Sequence, residues 1–380
     1  MSTGAAGTGA GGGGVVGTGM VGAAAESSAT ESSATESPAF DVEFSETWDK
    51  GATPRIAAVV SSYRRPDFLE GLLTALIEQS LPHDEYEVVI VDNGSGDTTW
   101  ETLKDLVRHA PGRIAVTTLD QNRGPGGGRN HGFSFVRAPY VAITDDDCLP
   151  TPGWLAAMLA TLESGSDVIQ GQVHANPADR DVAGPWDHTK WITVPTPFFE
   201  TCNVAYRTAA VAAVGGFDEK DSLTAQISGR AFGEDALLAW RVQEAGGKAM
   251  FAEDSLVYHR NIPANFRNWL DGQRNLVGFP GLGNRSPLVA DWFWHRYFLA
   301  RDTALFDLAA VSVAAAVVTR RPWLAAGALP WLRARWPDAK YRARGKQPLA
   351  VGRLAQLAVA DGVSLASLVE GSIRHRRLLL

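Results

Sequence analysis

The sequence predicts an α/β protein: a mostly parallel, doubly wound sheet flanked by helices. Short β-branched and apolar runs alternate with stretches whose apolar residues recur at helical spacing. Acidic and glycine-rich segments fall just past the carboxyl ends of those runs, where open α/β sheets form their ligand crevice. With 380 residues, 45% hydrophobic and 20% charged, the chain is long enough to bury a large core.

Residues 1–48 are dominated by Gly, Ala, Ser and Thr, and include the repeat ESSATESSATES. Such composition cannot offset its chain entropy by burying apolar area, so a disordered tail is expected. No basic segment followed by a compact apolar core marks a signal peptide. A first strand is expected over residues 56–61, then a helix with Phe68, Leu69, Leu72, Leu73, Leu76 and Ile77 on its apolar face. A second buried strand, 88–91, ends at Asp92; Asn93-Gly94-Ser95-Gly96 forms a turn, and Thr98 or Thr99 caps the next helix. Residues 114–119 form a third strand and 140–144 a fourth. Trp154, Leu155, Met158, Leu159 and Leu162 give the helix beyond it. A further strand is expected over 201–206.

Cys148 and Cys202 lie in no CxxC pair, so they give neither a disulfide framework nor a zinc site, which fits a reducing compartment with the cytosol as default. Charge is uneven. Residues 285–380 hold 15 Lys or Arg against 6 Asp or Glu, although the whole chain is at −7. No basic stripe interleaved with aromatics crosses the central region, which argues against nucleic acid as the partner.

Three elements point to chemistry. The first is AITDDDCLP, where Asp145, Asp146 and Asp147 follow a buried strand. Adjacent carboxylates repel, and partly buried ones lose hydration, so a positive partner is required. If the segment is extended, Asp145 and Asp147 face one side and Asp146 the other, where it serves as a structural acceptor. The second is NRGPGGGRN, from Asn122 through Gly124 and Arg129 to Asn130. It follows the third strand rather than the first and lacks GxGxxG, so it is no dinucleotide fingerprint, and no GK[ST] makes it a Walker A loop. The third is GED, with Glu234 and Asp235 opening a helix whose dipole favours their charge.

The order VDNGSGD, NRGPGGGRN, DDD, GED resembles the family-2 glycosyltransferases, GT-A enzymes that use nucleotide sugars, over roughly residues 55–265. The resemblance implies that Asp92 recognises the nucleotide base, that Asn122, Gly124 and Arg129 lie by the nucleotide, and that Asp145, Asp146 and Asp147 bind ribose and a divalent cation. It further implies that Asp235 is the base that deprotonates the acceptor, helped by Glu234, and that His259 completes the metal site with Asp145 and Asp147. A nucleoside diphosphate entering an acidic pocket needs a divalent cation between, and carboxylate oxygens favour Mn²⁺ or Mg²⁺. The expected reaction is inverting transfer of a sugar from a UDP, dTDP or GDP donor to a hydroxyl of a glycan, lipid-linked or secondary-metabolite acceptor, as in cell-envelope glycan biosynthesis. A non-catalytic carbohydrate-binding protein and, more remotely, a nucleotidyltransferase are the alternatives.

The expected organisation is a tail over 1–48, a GT-A domain over 52–285 and a basic helical extension over 286–380. The extension sets Trp292, Trp294, Trp323, Trp331 and Trp336 among six arginines from Arg296 to Arg335. Its longest apolar run, residues 308–318, is about half the ~20 residues a spanning helix needs, so peripheral contact with the inner face of a membrane is the expectation.

Overall fold

The computed structural model describes residues 40–51, 53–180, 183–219 and 232–380; the tail before residue 40 lies outside them. One nine-stranded sheet organises the chain, in the spatial order β1-β4-β3-β2-β5-β8-β7-β9-β6. Its parallel block comprises β2 (Ile56–Ser62), β3 (Tyr86–Asp92), β4 (Arg113–Leu119) and β5 (Tyr140–Ile143). These strands are buried on both faces, as their unbroken apolar runs require.

Helices cover both faces. On one, α1 (Pro66–Ile77), α2 (Thr99–Arg108) and α4 (Trp154–Glu163) insert Leu69, Leu72, Leu76, Leu103, Trp154 and Met158 into a core with Ile56, Val88 and Ile114. The α2 cap differs from the expected threonine: Asp97 Oδ1 accepts from the Thr99 N–H at 2.9 Å and from its hydroxyl at 2.6 Å.

On the other face the glycine-rich segment departs from the expected loop, for Gly124–Phe133 is a helix, α3. Glycine's poor helix propensity hid it. The glycines serve packing: a Cβ on Gly128 would strike the Ser61 side chain, and one on Gly132 would lie 2.7 Å from Val59 Cγ1. The helix backbone can therefore rest directly on β2 and β3.

Beyond β5 the sheet becomes mixed. β8 (Val204–Arg207) runs antiparallel to β5 and to β7 (Val168–Ala175), while β9 (Ala249–His259) is parallel to β7 and antiparallel to β6 (Cys148–Pro150). The strand expected over 201–206 begins only at Val204, after a 3-10 turn over Thr201–Asn203.

Two boundaries are corrected. Phe40–Phe44, placed in the tail by composition, is edge strand β1, antiparallel to β4, with the Phe40 ring edge-on to His131 and Phe135 at 4.8 and 6.0 Å. Residues 286–380 are helical as expected but share one compact unit with the sheet region. After the short α5 (Thr208–Ala213) comes α6 (Glu234–Glu244), followed by α7 (Phe266–Gln273), α8 (Phe279–Arg285), α9 (Pro287–Trp292), α10 (Arg301–Thr319), α11 (Leu329–Arg342) and α12 (Gln347–His375). Ala236 and Leu237 of α6 share a core with Leu282, Val289, Phe293, Leu368 and Leu379, so the extension braces the helix that begins with Glu234-Asp235.

The 308–318 run is also part of something longer. The 19-residue α10 and the 29-residue α12 are both long and apolar enough to cross a membrane by length and composition alone.

Candidate active site

The candidate site residues gather at the carboxyl end of the parallel block. β5 stops at Ile143, and the Thr144 hydroxyl, donating to the Cys202 carbonyl at 2.9 Å, ties its end to the neighbouring segment. The chain then turns, so the alternation expected of an extended DDD does not hold. Asp146 and Asp147 converge on one cation: Arg65 Nη1 lies 2.8 Å from Asp146 Oδ1 and 2.6 Å from Asp147 Oδ2. Asp145 turns instead to Arg129, at 2.8 Å. The counter-charge that three adjacent carboxylates demand is thus supplied largely from within the chain.

Asp146 is the structural acceptor of the three. It is buried, takes a hydrogen bond from the Ser62 hydroxyl at 2.8 Å, and is pushed up to about 6 by burial, with Arg65 acting the other way and Asp147 adding to the rise.

Sheet register brings His259 to Asp147. Strand β6 starts one residue after Asp147 and pairs Cys148 with His259, while the Arg260 N–H donates to the Asp147 carbonyl at 2.8 Å. His259 Nδ1 lies 2.7 Å from the Arg260 carbonyl, which can only accept, so Nδ1 carries the proton. In the neutral ring the lone pair is then on Nε2, which lies 3.5 Å from Asp147 Oδ1. Two acceptors facing each other across that gap fit a cation, and the backbone carbonyl on Nδ1 is the outer partner that orients a ligating imidazole.

Ligand atoms of Asp147, Cys148 and His259 lie within 4.8 Å of one another. Cys148 is fully buried and its thiol is held well above the ordinary range by burial, so it remains protonated, and the carboxylate and imidazole are the usable donors. Asp145 is not in this group, a change from the expected trio. It stands one step away, on Arg129.

Arg129 links the two halves of the site. It is buried on α3, pairs with Asp145, and brings Nη1 to 3.9 Å from Glu234, leaving Nε and Nη1 without a hydrogen bond. Glu234 and Asp235 open α6 after Gly233, whose φ of +83° turns the chain into the helix. Asp235 Oδ1 accepts from the Ala236 N–H at 2.8 Å. Its carboxyl is raised to about 8, first by burial and then by the charges of Glu234 and Glu200; the Ala236 N–H and Lys190 act the other way.

The nucleotide-side candidates take structural roles as well. Asp92, buried at the end of β3, accepts from the Ser95 N–H at 3.1 Å and the Thr118 hydroxyl at 2.8 Å. Asn122 Oδ1 accepts from the Gly124 N–H at 2.7 Å, and Gly124 has φ +75°, so this pair shapes the entry to α3. Three residues escaped the sequence reading. Arg65 was detectable, since the acids called for a cation and two arginines follow β2. Lys190 and Glu200, which act electrostatically on Asp235, sit in no motif.

Comparison with known proteins bears on the fold and the family. The solved structure of mannosyltransferase PcManGT from Pyrobaculum calidifontis, in complex with GDP-Man and Mn²⁺, superposes with a TM-score of 0.53 at 19% identity, covering 85% of this chain and 90% of that one. The fold is therefore that of the GT-A glycosyltransferases. Residues 57–217 match the glycosyl transferase family 2 model. Among curated relatives, glycosyltransferase AglE of Haloferax volcanii is 29% identical over 121 residues, 32% of this chain and 40% of its own length. Succinoglycan biosynthesis protein ExoO of Rhizobium meliloti is 34% identical over 118 residues, 30% of this chain and 32% of its own. The chain thus spans well under half of each of these relatives.

Proposed function

We propose that the chain is an inverting, divalent-cation-dependent glycosyltransferase that moves a sugar from a nucleoside-diphosphate sugar to an acceptor hydroxyl. The observation that carries this reading is the facing pair His259 Nε2 and Asp147 Oδ1, set at the same sheet end as a carboxyl, Asp235, whose pKa is raised toward neutrality. Asp147 and His259 hold Mn²⁺ or Mg²⁺, with Asp145 as an outer partner through Arg129. When bound, the cation neutralises the donor's diphosphate and stabilises it as a leaving group. Asp92 and the Asn122–Gly124 turn receive the nucleoside, and Arg129, whose Nε and Nη1 make no hydrogen bond within the chain, donates to the sugar donor.

Asp235 takes the acceptor proton as the hydroxyl oxygen attacks the anomeric carbon from the face opposite the diphosphate, which gives inversion. Glu234 keeps that proton acceptor oriented, and Lys190 and Arg129 balance its charge once it ionises. PcManGT was solved with GDP-Man and Mn²⁺, which is the ligand class proposed here. The acceptor is a glycan or lipid-linked hydroxyl of the cell envelope, and the protein works in the cytoplasm.

Melting curves with UDP, dTDP, GDP and CDP, each with and without Mn²⁺, test the reading. One nucleotide is expected to raise the melting temperature only with metal; a flat response to all four would favour a non-catalytic carbohydrate-binding protein. The internal counter-charge gives a second test. Arg65→Ala leaves Asp146 and Asp147 facing one another and should cost ~1–3 kcal/mol, less than the ~3–5 kcal/mol for breaking a fully buried pair because Arg65 is itself part-exposed. Added Mn²⁺ replaces the missing charge, so it should raise the melting temperature more in Arg65→Ala than in wild type.

A further inference from the structure

The extension has a surface that neither the site nor the core uses. Only 11% of the apolar window of α10 is buried, and Leu308, Val311, Val313, Val317 and Val318 are exposed along it, the last two at 74% and 81%. At Arg320, φ +55°, the chain reverses, and the 3-10 helix Pro322–Ala328 folds back along α10 so closely that Gly327 rests on Ser312. This connection exposes 66% of Trp323, and α11 opens with Leu329 62% exposed. Single apolar side chains on a surface need no explanation, but so many on one helix and its connection do.

Charge identifies the occupant. Between Asp307 and Asp338 there is no acidic residue and there are four arginines. Arg335 is engaged inside the bundle, with Nη2 2.7 Å from Asp361 and Nη1 3.2 Å from Asp302, where Trp331 Nε1 also donates to Asp361 at 2.8 Å. Arg320, Arg321 and Arg333 are exposed. One end of the α10–α11 hairpin is therefore pinned by ion pairs, and the other presents valines, a tryptophan and the two free-standing cations Arg320 and Arg321. A second copy would bring like charges together around the same apolar face. An anionic bilayer answers both features, with the acyl boundary for the apolar groups and lipid phosphates for the arginines.

We propose that the tip of the α10–α11 hairpin docks this protein on an anionic membrane surface, with Val317, Val318 and Trp323 entering the interface and Arg320 and Arg321 contacting headgroup phosphates. The docking surface is independent of the donor reading, and either stands if the other fails.

The test is cosedimentation of the full chain with phosphatidylglycerol-containing and with purely phosphatidylcholine vesicles. Wild type should pellet with the anionic vesicles, less so at high salt. At about 1 kcal/mol per basic residue, reversing Arg320 and Arg321 to Glu should weaken partitioning on the order of 30-fold. Val317→Glu with Val318→Glu should also abolish pelleting. Unchanged melting curves and nucleotide shifts in these variants separate lost docking from misfolding. Equal pelleting of variants and wild type, or no pelleting of wild type, would overturn the proposal. So would a wild-type dimer in light scattering that the valine variant dissociates, with no vesicle binding in either.

Discussion

Asp235→Asn is expected to lower kcat by ~100- to 10,000-fold, the usual contribution of a positioned general base, while leaving metal-dependent nucleotide binding near wild type. Asn preserves the size of the side chain and can still accept from the Ala236 N–H through its carbonyl oxygen. It cannot take a proton. The same variant also carries a stability signature. In the folded chain the Asp235 carboxyl is raised from 3.8 to about 8 by burial and by Glu234 and Glu200. Between those values the folded protein holds a proton that the unfolded chain has lost, so Asp235 makes stability fall as pH rises from about 4 to about 8. Asn removes that slope. Melting curves from pH 5 to 8 should show the variant gaining on wild type as pH increases, and the wild-type kcat/KM should rise with pH through the same region as the base ionises. Wild-type turnover by the Asn variant would end the base assignment.

What could be read from the sequence divides along physical lines. The parallel strands were legible because burial on both faces writes an uninterrupted apolar run, which also placed Asp92 and Asp145 at strand ends, whereas the helical spacing of the apolar residues after Asp235 placed it at a helix start. The helix over Gly124–Phe133 was not legible, because its residues were selected for close approach to β2 rather than for helix propensity. The grouping of the three acids failed where the strand did: alternation of sides belongs to extended backbone, and the chain leaves β5 at Ile143. Arg65 answers a demand that the acids themselves posed, from a loop 80 residues upstream in the sequence. Lys190 and Glu200 reach Asp235 only through the tertiary fold, so no local pattern announced them. Strand β1 was lost to its neighbours, since five residues with two phenylalanines disappear beside a low-complexity tail.

Asp147→Ala is expected to abolish the part of nucleotide binding that depends on metal. Asp147 is the one acid that both accepts from Arg65 at 2.6 Å and faces the His259 lone pair at 3.5 Å. Without it His259 is a single neutral donor, too little to hold Mn²⁺ or Mg²⁺ against water, and the cation-shaped gap between two acceptors is gone. A ligand at a hundredfold excess over its Kd stabilises the native state by ~2.7 kcal/mol, a readily measured shift in Tm. In Asp147→Ala that shift, recorded with the preferred nucleotide and Mn²⁺, should shrink to the one wild type shows with chelator. The comparison must be between shifts, because the variant also takes one of two carboxylates from Arg65 and so melts differently before any ligand is added. His259→Ala provides the independent arm: it leaves the Arg65 pairs untouched, and the same loss of metal-dependent shift there would place the cation between these two side chains. A full metal-dependent shift in both variants would mean that the divalent ion is held elsewhere, and Asp145 with Arg129 would be the next place to look.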